Sequence, residues 1–310
     1  MYQFIVNPGA GAGRGYRIWK RLEIQLEDAG QEYGVFFTEK QGDAARSASR
    51  LTEDKEAKIL VVVGGEGTYN EVLNGVSFRG MLTFGYLPAG FGSSLSPGLR
   101  SYWRLKGQIR RILHPKYYRV LDYGVITSGG DEIFNRRFAG RCGIGLDAAV
   151  CHNLLCCPTR RRMDRLHLNR ALHFVLGLKQ LLLARPASGY LILDGVQRVE
   201  FAHMYFITFR LGDGEEKKKR KAGCSEAESG QMTVYVGSST KKRKMTPILM
   251  DVVMGIRKKE RGVRIFTCSE ARVHLNRPLP VHVDGESCLC QQDIEIRCIP
   301  KKIRMIDSQR

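Results

Sequence analysis

The sequence lacks any apolar run long enough to cross a membrane. Its most apolar stretch, Ala171–Ala184, is short and contains His173, Lys179 and Gln180, whereas a spanning helix needs about 20 consecutive apolar residues. A secretory signal is missing as well, because Met1 leads directly into strand-like residues without a basic region followed by an apolar one. From these two absences we expect a cytoplasmic protein.

The nine cysteines lack the spacing of a zinc site. Cys156-Cys157 and Cys288-x-Cys290 provide neither C-x₂-C pairs nor histidines at the required distance. In a chain of 310 residues, we therefore expect reduced and mostly buried thiols.

Acidic residues are few relative to basic ones. The chain has 31 acids against 50 Lys and Arg, a formal charge of +19. The basic excess is concentrated in four clusters: Arg160–Arg162, Lys217–Lys221, Lys241–Lys244 and Arg257–Lys259. Such charge attracts nucleic acid or anionic membranes, but no aromatic stacking ladder, zinc finger or helix-turn-helix pattern accompanies it. We therefore expect the protein to bind an anionic membrane surface and no specific nucleic acid. Basic loops that serve only solubility remain the alternative.

Strands and helices alternate in the first part of the chain, which predicts a doubly wound parallel α/β domain over residues 1–120. The predicted strands are Tyr2–Val6, Tyr33–Thr38, Ile59–Val63 and Leu82–Leu87, and the predicted helices are Tyr16–Ala29, Asp43–Leu51 and Thr68–Asn74. Ligands of such sheets bind beyond the carboxyl ends of the strands. Four loops, at Asn7, Thr38, Gly64–Thr68 and Pro88–Gly92, are therefore expected to line one cleft.

The pattern changes at Leu121 to many short strands, which predicts an antiparallel β-sandwich domain over residues 121–291. The predicted strands are Leu121–Thr127, Arg137–Cys142, Tyr190–Leu193, His203–Phe209, Met232–Val236, Val263–Phe266, Arg272–Leu275 and Pro280–Val283. One long apolar helix, Leu166–Leu183, interrupts them, and Gly212–Gly230 is predicted to be a charged surface loop.

A glycine-rich loop follows the apolar strand Ile59–Val63. Without Cβ atoms at Gly64, Gly65 and Gly67, backbone N–H groups can approach a phosphate, and the N-terminus of the next helix favours the same anion. Glu66 is the acid within the loop, and a carboxylate beside phosphates indicates a divalent cation between them. The loop thus predicts a nucleotide–Mg²⁺ site, with a plain glycine-rich turn as the alternative.

Residues Gly64–Gly75 resemble the Gly-Gly-Asp-Gly-Thr-x-Asn-Glu-Val-x-Asn-Gly signature of the diacylglycerol kinase catalytic domain. The resemblance is to the bacterial soluble lipid kinase branch of this family, which also includes the sphingosine kinases. Four further segments occur in the order of the family: Asn7-Pro8, Leu87–Gly90, Phe138–Ala149 and Asp284–Glu286.

The resemblance implies an ATP- and Mg²⁺-dependent lipid kinase that phosphorylates a lipid hydroxyl, with diacylglycerol as the default acceptor. It implies a cleft between two domains, and a last strand, residues 292–310, that returns to the first domain. It assigns the catalytic base to Asp284 first and to Glu286 second, and the acids that serve magnesium to Glu66 and Asp122. The implied nucleotide contacts are Asn7, Pro8, Thr38, Gly64, Gly65, Glu66, Gly67, Thr68, Asn70 and Gly90.

Three segments depart from the family pattern. Glu66 replaces an Asp, Phe91–Leu95 replaces Thr/Ser-Gly-Asn-Asp-Phe, and the later glycine-rich stretch is eroded around Lys217–Lys221. Because Mg²⁺ demands near-ideal oxygen coordination, lost acids would weaken activity. A pseudokinase that binds nucleotide or lipid is therefore one alternative; a soluble-substrate kinase related to the NAD kinases and a nucleic-acid binder are the others. The sequence leaves the oligomeric state open, a homodimer included.

Overall fold

Four parallel strands with helices on both faces form the N-terminal part. The computed structural model describes residues 1–54, 56–90, 105–129, 133–157, 169–212, 230–247 and 262–307. The strands pair in the order β4-β3-β1-β2. The elements are β1 (Tyr2–Val6), α1 (Ala10–Asp28), β2 (Tyr33–Phe37), α2 (Asp43–Leu51), β3 (Lys58–Gly64), α3 (Glu66–Gly75), β4 (Leu82–Pro88) and α4 (Leu105–Leu113).

The two faces of this sheet have separate cores, because side chains alternate along each strand. Phe4 of β1 and Val61 of β3 pack with α1 and α4, where Trp19 is fully buried. Ile5 and Val62, their neighbours in sequence, pack on the opposite face with α2 and α3. These strands are apolar on both faces, which is why they read as uninterrupted hydrophobic runs.

Antiparallel strands dominate the C-terminal part, so the predicted combination of an α/β domain and a strand-rich domain is confirmed. Its elements are β5 (Tyr117–Gly129), β6 (Ile133–Phe138), β7 (Arg141–Gly145), α5 (Leu146–Cys156), α6 (Asn169–Leu183), β8 (Ala187–Leu193), β9 (Gln197–Leu211), β10 (Met232–Ser238), a 3₁₀ turn (Lys242–Lys244), β11 (Val263–Cys268), β12 (Glu270–Val283) and β13 (Glu286–Asp307). One large apolar cluster, drawn from β5 to β13, forms the core.

Strand β13 joins the two parts. It pairs antiparallel with β12 and β5 along most of its length. At its end, Arg304 and Met305 pair in parallel with Thr83 and Phe84 of β4. Hydrogen bonds therefore run without a break from β11 through β13 to β2, in one sheet of 13 strands.

Several element boundaries differ from the sequence prediction. The predicted strand Arg137–Cys142 is two strands, because strand pairing is interrupted at Ala139 and Gly140. Helix α1 begins at Ala10 rather than at Tyr16. Directly after Ala10, Gly11–Gly13 have left-handed backbone angles and form a kink in the helix. Helix α3 begins at Glu66 rather than at Thr68.

Some predicted segments fall outside the described residues. They are the motif Phe91–Leu95, the basic clusters Arg160–Arg162, Lys217–Lys221 and Arg257–Lys259, and the greater part of the predicted loop Gly212–Gly230. Among the residues that are described, no helix is long and apolar enough to span a membrane.

Candidate active site

The loops that follow the four parallel strands lie side by side. Past the strand ends, Asn7 N–H donates to the Val63 carbonyl at 2.8 Å and Thr38 N–H donates to the Val6 carbonyl at 2.9 Å. Ala89 N–H donates to the Gly64 carbonyl at 2.8 Å. The structure therefore brings the predicted loops at Asn7, Thr38, Gly64 and Ala89 to one edge of the sheet.

The glycine-rich loop leads directly into α3. Gly65 precedes the helix with an extended backbone, φ −85° and ψ −178°, and as the N-cap residue it has no side chain that could cap the helix. Asn7 Nδ2 donates to Thr68 Oγ1 at 3.0 Å, which fixes the first turn of α3 against the β1 loop. Among the described residues, the one atom within 4 Å of a Cβ on Gly65 would be the Gly90 Cα, at 3.9 Å. The described residues thus leave space between Gly65 and Gly90, beside the first N–H groups of α3.

The loop after β1 packs against the loop after β4. Gly11 has φ +58°, and a Cβ at this position would collide with the Ala89 carbonyl. The Pro8 carbonyl accepts a hydrogen bond from Tyr16 N–H at 3.3 Å, across the kink of α1. Glycine at this kink therefore allows the Asn7-Pro8 segment to approach the loop that contains Gly90.

The acidic turn connects β12 to β13 and places its two carboxylates in different surroundings. Asp284 has φ +47° and Gly285 has φ +93°, values typical of a two-residue hairpin turn. Glu286 is half-buried, and its Oε1 lies 2.6 Å from where a Cβ on Gly67 would stand. The Glu286 carboxylate therefore lies against the glycine-rich loop, although 219 residues separate it from Gly67 in the chain.

Asp284 is buried and fully engaged in hydrogen bonds. Its Oδ1 accepts from the N–H groups of Gly140 at 2.8 Å and Arg141 at 2.9 Å. Its Oδ2 accepts from Ala139 N–H at 2.7 Å and Asn70 Nδ2 at 3.0 Å. The carboxylate thus fixes the backbone of the segment that connects β6 to β7, where the predicted strand is interrupted.

Helix α3 is tied to the C-terminal part at its middle and at its C-terminal end. Asn70 and Asn74 Nδ2 donate to the Arg137 carbonyl at 3.0 and 2.9 Å. The Arg137 guanidinium donates to the carbonyls of Leu73 at 3.0 Å and Val76 at 2.7 Å, at the C-terminal end of the helix. These bonds fix the glycine-rich loop relative to the acidic turn.

A buried histidine–carboxylate pair lies beneath the acidic turn. His282 Nε2 is 3.2 Å from Asp147 Oδ2, and Thr208 Oγ1 donates to the same oxygen at 3.1 Å. Gly285 N–H donates to His282 Nδ1 at 3.4 Å, so the ring proton is on Nε2, facing Asp147. Burial alone would raise the pKa of Asp147, but the Arg141 charge and the contact with His282 hold that pKa well below its usual range.

Arg141 lies among carboxylates. Its Nη1 is 3.7 Å from Asp147 Oδ1, and its side chain remains 27% exposed. The Asp147 charge, followed by Cys151, Glu66 and Asp284, raises the pKa of the Arg141 guanidinium despite burial. The cation therefore interacts electrostatically with the acid of the glycine-rich loop.

Asp122 contacts groups on neighbouring strands. Its Oδ2 accepts from Gly230 N–H at 3.0 Å and lies 3.8 Å from the Cys298 Sγ. In the part of the chain that the structure describes, no three His, Cys, Asp or Glu side chains are grouped to hold a metal ion. The assignment of magnesium to Glu66 and Asp122 stays a prediction.

Four functional candidates were not predicted from the sequence: Arg137, Arg141, Asp147 and His282. Arg141 and Asp147 belong to the motif Phe138–Ala149, and His282 belongs to the segment before the acidic turn, so the motifs marked their neighbourhood. Two of the contacts that identify them, Arg137 with Leu73 and His282 with Asp147, join residues more than 50 positions apart. No local pattern reveals such contacts.

The sequence of this chain is similar to a kinase family model and to proteins that are named as kinases. Residues 1–126 match the family model of the diacylglycerol kinase catalytic domain. YtlR of Bacillus subtilis, provisionally named a lipid kinase, is 25% identical over 286 residues, 91% of this chain and 92% of YtlR. A diacylglycerol kinase of Staphylococcus saprophyticus is 37% identical over 127 residues, 41% of each chain.

Solved structures share the fold at low sequence identity. A Bacillus anthracis protein, provisionally titled a diacylglycerol kinase, superposes with a TM-score of 0.71 at 18% identity, over 99% of this chain and 97% of its own. An NAD kinase from Archaeoglobus fulgidus, solved with ATP, gives a TM-score of 0.50 at 13% identity, over 100% of this chain and 94% of its own. The predicted fold, an NAD kinase-like α/β domain followed by a strand-rich domain, is confirmed.

Proposed function

We propose that this protein transfers the γ-phosphate of ATP to a lipid hydroxyl, with diacylglycerol as the default acceptor. Through its first 126 residues the chain belongs to the diacylglycerol kinase catalytic domain family. The observation that carries the proposal is the approach of the Glu286 carboxylate to Gly67, 2.6 Å from the position of a Cβ. In this proposal the glycine-rich loop binds the phosphates and the adjacent Glu286 carboxylate accepts the proton, as phosphoryl transfer to an alcohol requires.

The nucleotide phosphates are proposed to bind at the N-terminus of α3. Gly65 and Gly67 leave the backbone accessible, and Gly65, the N-cap residue of α3, has no side chain that could cap the helix. The partial positive charge of the helix N-terminus favours an anion there. Asn7, Pro8, Thr38, Thr68, Asn70 and Gly90 complete the proposed nucleotide contacts.

Glu286 is proposed as the catalytic base, and Asp284 as the residue that positions it. Both oxygens of Asp284 already accept hydrogen bonds, four in all, so a substrate proton would compete with strong donors. Glu286 is only half-buried and faces the loop. The sequence-based order, Asp284 first and Glu286 second, is therefore reversed in this proposal.

Arg141 is proposed to neutralise charge on the transferred phosphoryl group. Its guanidinium is near Glu66 and Asp284, and its side chain is 27% exposed. A cation that binds the equatorial oxygens stabilises the transition state of phosphoryl transfer. Such a cation would matter more here because the family's acids are altered at Glu66 and in Phe91–Leu95.

Magnesium fits this site only as an ion shared with the nucleotide. The described residues offer no group of three donors, but Mg²⁺ in kinases is held by one or two carboxylates together with substrate phosphates. Glu66 would supply a carboxylate at the loop. When bound, the ion would polarise the phosphate oxygens; the protein's own contribution is the positioning of the phosphates and of the accepting hydroxyl.

A pseudokinase is the second candidate, favoured by the replacement of Asp by Glu66 and by the sequence Phe91–Leu95. Such a protein would bind nucleotide or lipid without transferring phosphate. The two functions differ in one measurable property, the Mg²⁺-dependent appearance of phosphorylated lipid.

The test is a phosphorylation assay with labelled ATP and a panel of lipid alcohols that includes diacylglycerol and sphingosine, with Mg²⁺ and with excess chelator. We expect labelled lipid only with Mg²⁺, and a 10²–10⁴-fold lower turnover in Glu286→Gln with ATP binding nearly unchanged. Glu200→Gln, on an exposed strand position, is the matched control. No labelled lipid with any acceptor would favour the pseudokinase; full activity of Glu286→Gln would overturn the base.

A further inference from the structure

The C-terminal end of α6 carries apolar side chains that the fold leaves in solvent. Leu182 and Leu183 are 67% and 66% exposed, and Val175 is 61% exposed. Val175 lies two helical turns before Leu182 and therefore on the same face. Leu181 is buried instead and anchors the helix in a small core cluster. The helix thus buries one face and presents leucines on another.

A basic turn, defined here as Lys241–Lys244, lies directly beside these leucines. The Lys242 ammonium donates a hydrogen bond to the Leu182 carbonyl at 2.7 Å. Met245, which follows the turn, packs in the same core cluster as Leu181. All four side chains of the basic turn are exposed. The fold therefore holds the leucines and the cations next to each other.

The segments that form this surface contain no acidic residue. Neither residues 169–193 nor residues 230–247 include Asp or Glu. Exposed leucines bordered by cations suit the interface of an anionic bilayer, where apolar side chains enter the acyl boundary and cations remain at the headgroups. A nucleic acid would attract the cations but would leave the leucines without a contact.

The same surface is connected to the candidate active site through α5. Leu146, the first residue of α5, packs in the cluster that contains Leu181 and Met245. The next residue, Asp147, pairs with His282 beneath the acidic turn. The exposed leucines therefore lie at the end of the α5–α6 pair that is nearer to the acidic turn.

We infer that the end of α6 and the basic turn form the surface by which this protein docks on an anionic bilayer, with Leu182 and Leu183 entering the membrane interface. The inference rests on the proposed function for the identity of the lipid substrate. The docking itself requires neither ATP nor phosphoryl transfer, so it can be measured separately.

The test measures binding of the purified protein to vesicles in the absence of ATP, with phosphatidylserine–phosphatidylcholine vesicles against pure phosphatidylcholine. Leu182→Ser with Leu183→Ser should lower the affinity for anionic vesicles about tenfold or more. Arg243→Gln with Lys244→Gln should lower it about 25-fold at low salt, about five-fold for each charge, and less at high salt. Lys242 is left unchanged because it caps α6.

Matched controls on α1 exclude a general effect of apolar or basic surface residues. Ile24→Ser removes an exposed apolar side chain, and Arg17→Gln with Arg21→Gln removes two exposed cations from a helix of the other domain. These controls should bind vesicles as the native protein does. Thermal unfolding of every variant should match the native protein, since all the changed side chains are exposed.

Three results would overturn the inference: equal binding to both vesicle types, unchanged binding of both test variants, or a native dimer that the leucine substitutions convert into a monomer. The last would show that a second copy covers this face. A fourth result separates the two proposals: the native protein phosphorylates no lipid, and vesicle binding is lost in the test variants but not in the controls. That result would refute the proposed function and leave the docking surface standing.

Discussion

Gly65 occupies an extended backbone conformation that any residue can adopt, φ −85° and ψ −178°. In the described part of the chain, a Cβ there would meet the Gly90 Cα alone, at 3.9 Å. We therefore predict that Gly65→Val folds normally, with thermal stability close to that of the native protein. Its branched side chain would fill the space beside the first N–H groups of α3, so ATP binding measured by calorimetry should be lost. Unchanged ATP affinity would remove the loop from the nucleotide site.

Asp147 gives a prediction about acid stability. Its pKa is lowered in the folded protein, where burial is outweighed by Arg141 and His282. A depressed pKa adds stability that is complete above the unfolded value, about 3.9, and is lost as the pH falls below it. Asp147→Asn should therefore cost about 3 kcal/mol near neutral pH, because the Arg141 cation and the buried Nε2–H of His282 lose their anionic partner.

Urea unfolding between pH 7 and pH 2.5 tests this prediction. The difference between the native protein and Asp147→Asn should stay constant down to about pH 5 and shrink below about pH 4. Asp293→Asn, which removes an exposed partner of His274, should have almost no effect at any pH. A difference that is independent of pH would mean that the Asp147 charge does not stabilise the fold.

Helix α3 is the element that links the glycine-rich loop to the acidic turn, and Arg137 caps its C-terminal end. We predict that Arg137→Met, which keeps the length but loses the hydrogen bonds to Leu73 and Val76, lowers the free energy of unfolding by about 2 kcal/mol. Arg304→Met is the control, because Arg304 stacks on Tyr118 at the surface and should contribute no more than about 1 kcal/mol. Equal losses measured in urea would contradict the capping role.

Elements with strong periodicity were predictable from the sequence. Ile18, Trp19, Leu22 and Leu26 have helical spacing and form the buried face of α1, and the apolar run Ile59–Val63 lies within β3. The interruption between β6 and β7 at Ala139-Gly140 was not predictable, because it depends on Asp284, about 145 residues away. The environments of Asp284 and Glu286 differ for the same reason: distant segments decide which carboxylate is buried.

At the scale of the whole molecule, β13 pairs with both parts of the fold. Its 22 residues run from the acidic turn to the parallel sheet. Ile303 and Met305 of β13 pack in the N-terminal core, whereas Ile294 and Ile296 pack in the C-terminal core. Neither core can be completed without this strand. We therefore predict that the two parts unfold in a single transition.

Natural probes separate the two parts. Trp19 is buried in the N-terminal core, and both tryptophans precede residue 121, whereas every cysteine follows it. Tryptophan fluorescence and pulse labelling of the buried thiols Cys142 and Cys268 should therefore give the same urea midpoint. Ile303→Ala should shift both midpoints together, since its loss of about 2–4 kcal/mol would act on a shared unit. Midpoints that separate in either protein would show that the parallel sheet and the strand-rich part unfold independently.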